Sequence, residues 1–231
     1  MRKEIEKRFR ELYTDQPLIV CSPGRINIIG EHTDYNDGFV LPAAVDKAAY
    51  IALAPSGSTH GKWISLDFPE TVTIDFQSIS TNSVRWANYI LGIVDQAQKL
   101  GKPIPAFDCV VAGDVPMGSG MSSSAALESA VIFALNELYD LGLSRWEMAL
   151  LAQRSENEFI GVKCGIMDMF ASLHGKVNQV IRLDCRDLSF EYFPIELGAY
   201  KIVLFDTGVK HSLADSAYNT RRSECETGLR F

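Results

Sequence analysis

The sequence predicts an α+β (mixed α/β) fold, in which a mixed sheet packs against helices. Two observations carry this prediction. Helical and strand-like segments alternate irregularly along the 231 residues, and several strand candidates are close neighbours, as in hairpins. A regular doubly wound sheet would need a stricter alternation of strands and helices. With 47% hydrophobic and 22% charged residues, the chain can build one large domain or one and a half ordinary ones.

The first half of the chain contains two predicted helices and five predicted strands. Residues 2–13 have the periodicity of an amphipathic helix. Residues 83–100 predict a second helix, which Gly101 and Pro103 end. Short apolar or alternating runs predict strands at 18–21, 26–29, 46–54, 71–76 and 107–112. Ser22-Pro23-Gly24 separates the first two of these strands.

The second half is predicted to be richer in helix. A segment rich in Ala, Leu and Glu predicts a long helix over 122–140. Ser144, with Glu147 three residues later, has the pattern of a capping box and starts a helix over 144–160. The remaining predictions are helices at 166–174 and 214–228 and strands at 177–184, 190–193 and 200–206.

Charge and cysteine content exclude several classes of protein. The net charge of −7 leaves no basic field for a nucleic acid, so no nucleic-acid partner is expected. The charged N-terminus has no apolar core of a signal peptide, and no run of about eighteen apolar residues predicts a membrane span. The five cysteines form no CxxC pair, which favours reduced thiols in a cytoplasmic protein.

The first candidate site is a loop of glycines and serines at residues 116–126, called the Gly/Ser loop below. Gly118 and Gly120 allow the backbone to approach an anion closely, and the following helix adds N–H groups and a positive dipole end. The loop lacks the Gly-Lys-Ser/Thr of a Walker loop and the spacing of GxGxxG. Three consecutive serines exceed what a simple turn needs, so we expect phosphate binding.

The second candidate is the polar loop at residues 24–36. It contains Arg25, Glu31, His32 and Asp34, and it follows an apolar strand, so these side chains are expected at the end of that strand. Carboxylates and an imidazole make directional hydrogen bonds to vicinal hydroxyls, and Arg25 offers a planar fork for a phosphate or a carboxylate. We expect a polar ligand site, and the alternative is an ordinary surface turn.

Two further carboxylates are candidates. Asp168 lies in the apolar stretch 164–170, where it either complements a helix dipole or accepts a hydroxyl proton in phosphoryl transfer. Glu156 falls in the helix predicted at 144–160. There it could share Mg²⁺ with a serine of the Gly/Ser loop, although by itself it is interpreted as a solvated residue on a helix face.

Together these segments resemble a known family. The polar loop closely resembles the galactokinase signature, and the Gly/Ser loop resembles the second motif of the GHMP small-molecule kinases. Residues 164–168 and the stretch from Gly208 through Tyr218 to Arg222 are also galactokinase-like. The resemblance covers about residues 18–227. It implies a GHMP-kinase-like N-terminal domain over 1–175 and the start of a C-terminal domain over 176–231.

The resemblance implies ATP-dependent phosphorylation of galactose at its anomeric hydroxyl, with ATP and Mg²⁺ as cofactors. Asp168 is the implied base, and Arg25 is the implied stabiliser of charge on the transferred phosphoryl group. Trp86 resembles a residue near the nucleotide base. The remaining implied residues are the sugar ligands Glu31, His32, Asp34, Gly165 and Tyr218, the ATP loop Gly118, Ser119, Gly120, Met121, Ser122, Ser123 and Ser124, and the Mg²⁺ ligands Ser124 and Glu156.

Two features depart from the family pattern. Met121 stands where leucine is commoner, which exchanges one apolar side chain for another. Family members also continue further and carry a third, glycine-rich motif, so we expect this chain to be truncated and inactive. The expected partners are the small molecules galactose and ATP, and the protein is expected to be a monomer. An N-acetylgalactosamine or other hexose kinase and a catalytically silent galactose sensor stay open as alternatives. The intact serines at 122–124 and Asp168 disfavour the sensor.

Overall fold

The structure, a computed structural model, describes residues 1–13, 16–205 and 217–230 of the chain. The strands within these residues are β1 (Leu18–Asn27), β2 (Phe39–Val40), β3 (Pro42–Pro55), β4 (His60–Ser65), β5 (Thr71–Asp75), β6 (Phe107–Gly113), β7 (Gln179–Asp184) and β8 (Phe190–Pro194). A five-stranded sheet has the order β1-β3-β6-β4-β5, and a three-stranded sheet has the order β2-β7-β8. Because β4 pairs with β6 in parallel and the other pairs are antiparallel, the large sheet is mixed, as predicted.

The helices of the described residues are α1 (Arg2–Leu12), α2 (Arg85–Lys99), α3 (Ser123–Tyr139), α4 (Arg145–Arg154), α5 (Met167–His174) and α6 (Ala217–Gly228). The predicted capping box at Ser144 is confirmed, because the Ser144 hydroxyl accepts from the Glu147 amide and the Glu147 carboxylate accepts from the Ser144 amide. After α4 the helix continues as a π-helix, Ser155–Ile160, whose turns are wider than those of an α-helix. None of the helices in this part of the chain is long and apolar enough to cross a membrane.

The large sheet is covered on both faces. Along β3, Ile51 and Leu53 belong to the main core, which also contains buried residues of α2 to α5, whereas Ala52 and Ala54 pack with Ile5 and Phe9 of α1. This alternation follows from the two-residue period of a strand. Because both faces of β3 and β6 are buried, these strands form a rigid support for the loops at their ends.

The chain between residues 18 and 29 differs from the prediction of two strands. Residues 18–27 form one strand, β1, whose pairing with β3 shifts register between Pro23 and Arg25. Ser22-Pro23-Gly24 was interpreted as a break, but the 14-residue β3 supplies partners on both sides of it, so the strand continues through a bulge.

Other differences concern strands that depend on a partner. β2 and β4 were not predicted, because β2 has two residues and β4 contains the polar residues His60 and Lys62. The prediction of a strand at 200–206 is wrong for residues 201–205, which are irregular and exposed. Asp206 and residues 214–216, the start of the predicted last helix, lie outside the described residues.

Candidate active site

The two loops singled out in the sequence lie on one cleft. Its volume is about 1250 Å³, and its walls come from the polar loop, the Gly/Ser loop, the start of α2, the π-helix and the start of α5. Of the residues predicted to form the site, the cleft is lined by Arg25, Glu31, His32, Asp34, Trp86, Gly118, Gly120, Ser122, Ser123, Ser124, Glu156, Asp168 and Tyr218. The tertiary structure therefore brings together residues that lie up to 193 positions apart in the sequence, from Arg25 to Tyr218.

The centre of the cleft is an ion pair between Arg25 and Asp168. Arg25 Nη2 lies 2.6 Å from Asp168 Oδ1, and Arg25 Nε donates to the same oxygen at 2.7 Å. Arg25 Nη1 donates to the Gly120 carbonyl at 2.5 Å, so the guanidinium joins the base of the Gly/Ser loop to α5. With side-chain exposures of 12% and 25%, the two groups are largely withdrawn from water, and their geometry is fixed before any ligand binds.

Ser122 occupies the other oxygen of Asp168. Its hydroxyl donates to Asp168 Oδ2 at 2.5 Å, and its backbone has the left-handed conformation, with φ of 54°. Ser122 is the N-cap residue of α3, but its side chain does not cap the helix. The hydroxyl that could have capped α3 is used to hold Asp168, which leaves the first amides of the helix without a capping side chain and suited to an anion.

The Gly/Ser loop needs glycine at two positions. Gly118 and Gly120 have φ values of 76° and 78°, a region that side chains disfavour. Ser119 and Met121, both assigned to the ATP loop from the sequence, are absent from the described lining of the cleft. Ser119 instead donates to the Pro116 carbonyl at 2.6 Å, and the Met121 carbonyl accepts from the Arg25 amide at 3.1 Å. These two residues stabilise the loop.

The polar loop forms one end of the cleft. Glu31 accepts a hydrogen bond from Asn27 Nδ2 at 2.8 Å, and His32 Nδ1 lies 2.5 Å from the Tyr35 hydroxyl. The ring of Tyr218, from α6, packs against both His32 and Tyr35. The resemblance through Gly208 and the following residues falls partly on residues 206–216, outside the described part of the chain.

Asp34 and Gly165 are in direct contact. A Cβ at Gly165 would overlap the carboxyl group of Asp34, so glycine at this position makes room for that carboxyl. Burial, followed by the negative charge of Asp168, raises the pKa of Asp34 to about 6. Asp34 is therefore a charged acceptor only towards neutral pH and above.

The carboxyl groups of Glu156 and Glu128 lie beneath the start of α3. The interpretation of Glu156 as a solvated residue on a helix face is wrong, because only 3% of it is exposed. Burial raises its pKa to about 7. Burial, with the negative charge of Glu156, also raises the pKa of the fully buried Glu128 far above its ordinary range. The sequence analysis missed Glu128, which looks like one more polar position on a long helix.

The side-chain oxygen atoms of Ser124, at the start of α3, and of Glu156 are of the kind that Mg²⁺ prefers. Glu156 Oε2 is buried and has no hydrogen-bond partner among the described residues. Ser124 and Glu156 both line the cleft, and together they offer hard oxygen donors near the amides at the start of α3. No group of three or more His, Cys, Asp or Glu suited to a metal exists in the described residues. Mg²⁺ in nucleotide sites commonly takes only one or two protein ligands and completes its shell with phosphate and water.

The other end of the cleft is aromatic and was only partly foreseen. Trp86 lies at the start of α2, is 7% exposed and still lines the cleft, and its Nε1 has no partner within the described part of the chain. Phe68 and Glu70, in the connection between β4 and β5, also line the cleft. Neither residue was predicted to belong to the site, because β4 itself was not predicted.

Two family models match the chain over these regions. The model of the GHMP kinases N terminal domain matches residues 88–176, which contain the Gly/Ser loop, Glu156 and Asp168. The model of the galactokinase galactose-binding signature matches residues 7–55, which contain the polar loop. Over these residues and in its fold, the chain is similar to the GHMP kinases.

Within that family, the relatives described here are galactokinases. The galactokinase of Roseiflexus sp. (strain RS-1) is 40% identical over 98% of this chain and 58% of its own length. The galactokinase of Chloroflexus aggregans (strain MD-66 / DSM 9485) is 44% identical over 96% of this chain and 57% of its own. The chain thus spans less than two thirds of the length of these curated relatives.

Solved structures agree with this relationship. The crystal structure of Lactococcus lactis galactokinase complexed with galactose superposes with a TM-score of 0.92 at 36% identity, covering 97% of this chain and 60% of that one. A D-glycero-D-manno-heptose 1-phosphate kinase from Bacteriodes thetaiotaomicron superposes with a TM-score of 0.66 at 21% identity, covering 78% of this chain and 61% of that one, and so shares the fold.

Proposed function

We propose that the protein transfers the γ-phosphoryl group of ATP to the anomeric hydroxyl of galactose, giving galactose 1-phosphate and ADP. The observation that carries this proposal is the Arg25–Asp168 pair, which lies in one cleft with both the polar loop and the Gly/Ser loop. A sugar held by the polar loop and a phosphate held by the Gly/Ser loop would meet at this pair. The galactose bound in the Lactococcus lactis relative supports the choice of sugar.

Asp168 is proposed to accept the proton of the anomeric hydroxyl. Its Oδ1 already accepts two N–H groups from Arg25, whereas Oδ2 accepts only the Ser122 hydroxyl among the described residues. A carboxylate oxygen has more than one acceptor direction, so Oδ2 can accept the sugar hydroxyl as well. Arg25 fixes the orientation of the carboxylate and provides positive charge for the phosphoryl group, and such positioning and electrostatics dominate phosphoryl transfer.

The polar loop is proposed to bind the remaining hydroxyls of galactose. Glu31, His32 and Asp34 offer acceptors and donors along the same wall of the cleft, and Tyr218 packs against His32 from α6. Gly165 is proposed to act through Asp34, because its lack of a side chain is what allows Asp34 its position. The exposed carboxylate and imidazole of Glu31 and His32 remain accessible to a ligand.

ATP is proposed to lie along the Gly/Ser loop, with its phosphates at the start of α3. Gly118, Gly120, Ser122, Ser123 and Ser124 line this part of the cleft. Ser124 and Glu156 would hold Mg²⁺, which when bound neutralises phosphate charge. The aromatic end near Trp86 offers an apolar surface of the kind that stacks with a nucleotide base.

The proposal is tested by ADP release that depends on both ATP and a sugar. The chain is assayed beside a form extended to the length of its relatives, with galactose, N-acetylgalactosamine and glucose as substrates. We expect the extended form to prefer galactose and the 231-residue chain to be inactive or weak. A preference for N-acetylgalactosamine would change the substrate, and sugar binding without turnover in the extended form would favour a sensor.

The division near residue 175 is likewise proposed, with 176–231 as the beginning of a second domain. β7, beyond this point, pairs with β2, before it. The two regions therefore share a sheet, and limited proteolysis of the extended form would test whether they separate as domains.

A further inference from the structure

The helix α6 lies against the polar loop and is held there by polar contacts and ring contacts. Its half-buried residues, Tyr218, Asn219, Arg222 and Cys225, follow helical spacing and form one face, whereas the other residues between 218 and 230 are exposed. Within the described chain, none of the buried hydrophobic clusters includes a residue of α6. The position of α6 therefore depends on the few specific contacts that this face makes.

Asn219 uses both polar atoms of its side chain on the main chain of residues 161–163. Its Nδ2 donates to the Gly161 carbonyl at 2.9 Å, and its Oδ1 accepts from the Lys163 amide at 2.9 Å. The side-chain amide of asparagine carries a donor and an acceptor side by side, which suits it to bridge two main-chain groups. Arg222, close to one helical turn later, donates from Nη1 to the Lys163 carbonyl at 2.9 Å. Three hydrogen bonds thus fasten α6 to one short segment.

The segment 161–163 is itself part of the wall of the cleft. It follows the π-helix and leads towards α5, which carries the proposed base. Val162 is 4% exposed and lines the cleft, whereas Gly161 and Lys163 are exposed. The hydrogen bonds from α6 therefore go to the main chain of a segment that also contributes a side chain to the cleft.

The residue before Asn219 contacts the polar loop. The centroid of the Tyr218 ring lies 5.7 Å from that of the His32 ring and 5.5 Å from that of the Tyr35 ring. The Arg222 guanidinium lies over the Tyr35 ring, 5.6 Å from its centroid. Because Tyr218 and Asn219 are consecutive on one helix, the hydrogen bonds of Asn219 to residues 161–163 also fix where the Tyr218 ring lies.

We propose that Asn219 is a positioning residue, which holds α6 so that Tyr218 closes the galactose pocket against His32. This inference rests on the proposed function. Asn219 is not among the described residues that line the cleft, so it acts through Tyr218 and not by touching the sugar. The contacts of α6 go to the polar loop and to residues 161–163, so sugar binding should depend on Asn219 and nucleotide binding should not.

The first test measures ligand affinities of Asn219→Ala in the extended form. The variant removes both hydrogen bonds of the side chain and leaves Arg222 in place. A misplacement of about 1 Å can cost about 10²-fold, and because Arg222 still holds α6 we expect galactose affinity to fall by about 10-fold in titration calorimetry. Affinity for a non-hydrolysable ATP analogue and kcat at saturating galactose should stay near the wild-type values.

The matched control is Thr220→Ala, on the same helix. Thr220 is exposed and follows Asn219 directly, so this variant also shortens a polar side chain of α6 but leaves the contacts to residues 161–163 intact. Galactose affinity should not change. If Asn219→Ala does not fold, Arg222→Met removes the hydrogen bond to the Lys163 carbonyl, keeps the apolar stem, and should weaken galactose binding in the same direction.

The second test follows the His32 ring in the sugar-free protein by nuclear magnetic resonance with isotope-labelled histidine. The His32 signal is identified by its loss in His32→Gln. Tyr218→Ala removes the neighbouring ring and should shift the His32 signal, and Asn219→Ala should shift it in the same direction, because the ring moves away. A loss of stability alone, in a variant that keeps Tyr218 in place, would not produce this shift.

The outcomes separate the two proposals. A wild-type extended form that binds no galactose refutes the proposed function, whereas the His32 signal still reports whether Asn219 holds Tyr218. If the wild type binds galactose and folded Asn219→Ala binds it equally well, only the positioning role is refuted. An unshifted His32 signal in Asn219→Ala, or an equal loss of galactose affinity in Thr220→Ala, also refutes that role.

Discussion

Replacement of Gly165 by alanine tests how closely the cleft is fitted around Asp34. The new Cβ would lie 2.8 Å from Asp34 Cβ and would overlap the carboxyl group. Carbon atoms approach comfortably to about 3.5–4.0 Å, so Asp34 must retreat by about 0.7 Å or more, and its carboxyl group by a larger distance. Gly165 has a negative φ, since it is not among the positive-φ glycines, so its backbone accepts alanine and the effect is steric.

A displacement of this size is large for a hydrogen bond to a substrate. A misplacement of about 1 Å can lower activity by about 10²-fold, and in the extended form we expect kcat/KM for galactose to fall by about that factor in Gly165→Ala. The loss should appear mainly as weaker galactose binding, measured by titration calorimetry, because the Gly/Ser loop is not touched. ATP-analogue affinity should stay near the wild-type value.

The control is Gly228→Ala, at the end of α6. A Cβ there meets no atom within 4 Å, so this variant tests the added methyl group without a clash. Thermal unfolding of both variants separates loss of the site from loss of the fold. Wild-type galactose affinity in a folded Gly165→Ala protein would show that Asp34 does not bind the sugar or that the contact adapts freely.

Three further predictions follow from the site and the core. In the extended form, Asp168→Asn should lower turnover by at least about 10²-fold while galactose binding remains measurable, and turnover near wild type in a rapid-mixing assay would exclude Asp168 as the base. The raised pKa of Asp34, about 6, means that this group favours the folded state most below its ordinary pKa of 3.8, and that this contribution is lost as the pH rises through 6. Asp34→Asn should therefore stabilise the protein by about 1–3 kcal/mol at pH 8 and by much less at pH 4 in urea titrations, and equal effects at both pH values would contradict the raised pKa. Trp63→Ala should destabilise the fold by about 3–5 kcal/mol, because Trp63 is fully buried, stacks on Phe107 and donates to its carbonyl, and an unchanged urea midpoint would contradict this.

Local patterns in the sequence were sufficient to predict most of the helices and strands. The helix at 122–140 and the capping box at Ser144 depend on residues within a few positions of each other, and both are confirmed, with α3 at Ser123–Tyr139. The break at 22–24 and the strand over 201–205 were predicted wrongly, because a strand depends on a partner that is distant in the chain. β3 joins the two predicted strands into one strand, and residues 201–205 form no strand in the described structure.

The candidate site also has features that the sequence predicts and features that only the structure shows. The sequence alone determined the residue types: glycines and serines at 118–124, the carboxylates and imidazole of the polar loop, and an isolated Asp168. Their assignment to sugar, phosphate and metal remains a set of proposals, but their presence on one cleft agrees with the prediction of a shared site.

Only the tertiary structure decided how these groups are paired. Ser122 holds Asp168 instead of capping α3, Gly165 makes room for Asp34, and Ser155 of the π-helix donates to Glu128 of α3. Each of these contacts joins residues well separated along the chain, so no local pattern announces them. Burial, which sets the pKa of Asp34 and Glu156, is likewise a property of the packed sheet and helices and not of the sequence around each carboxylate.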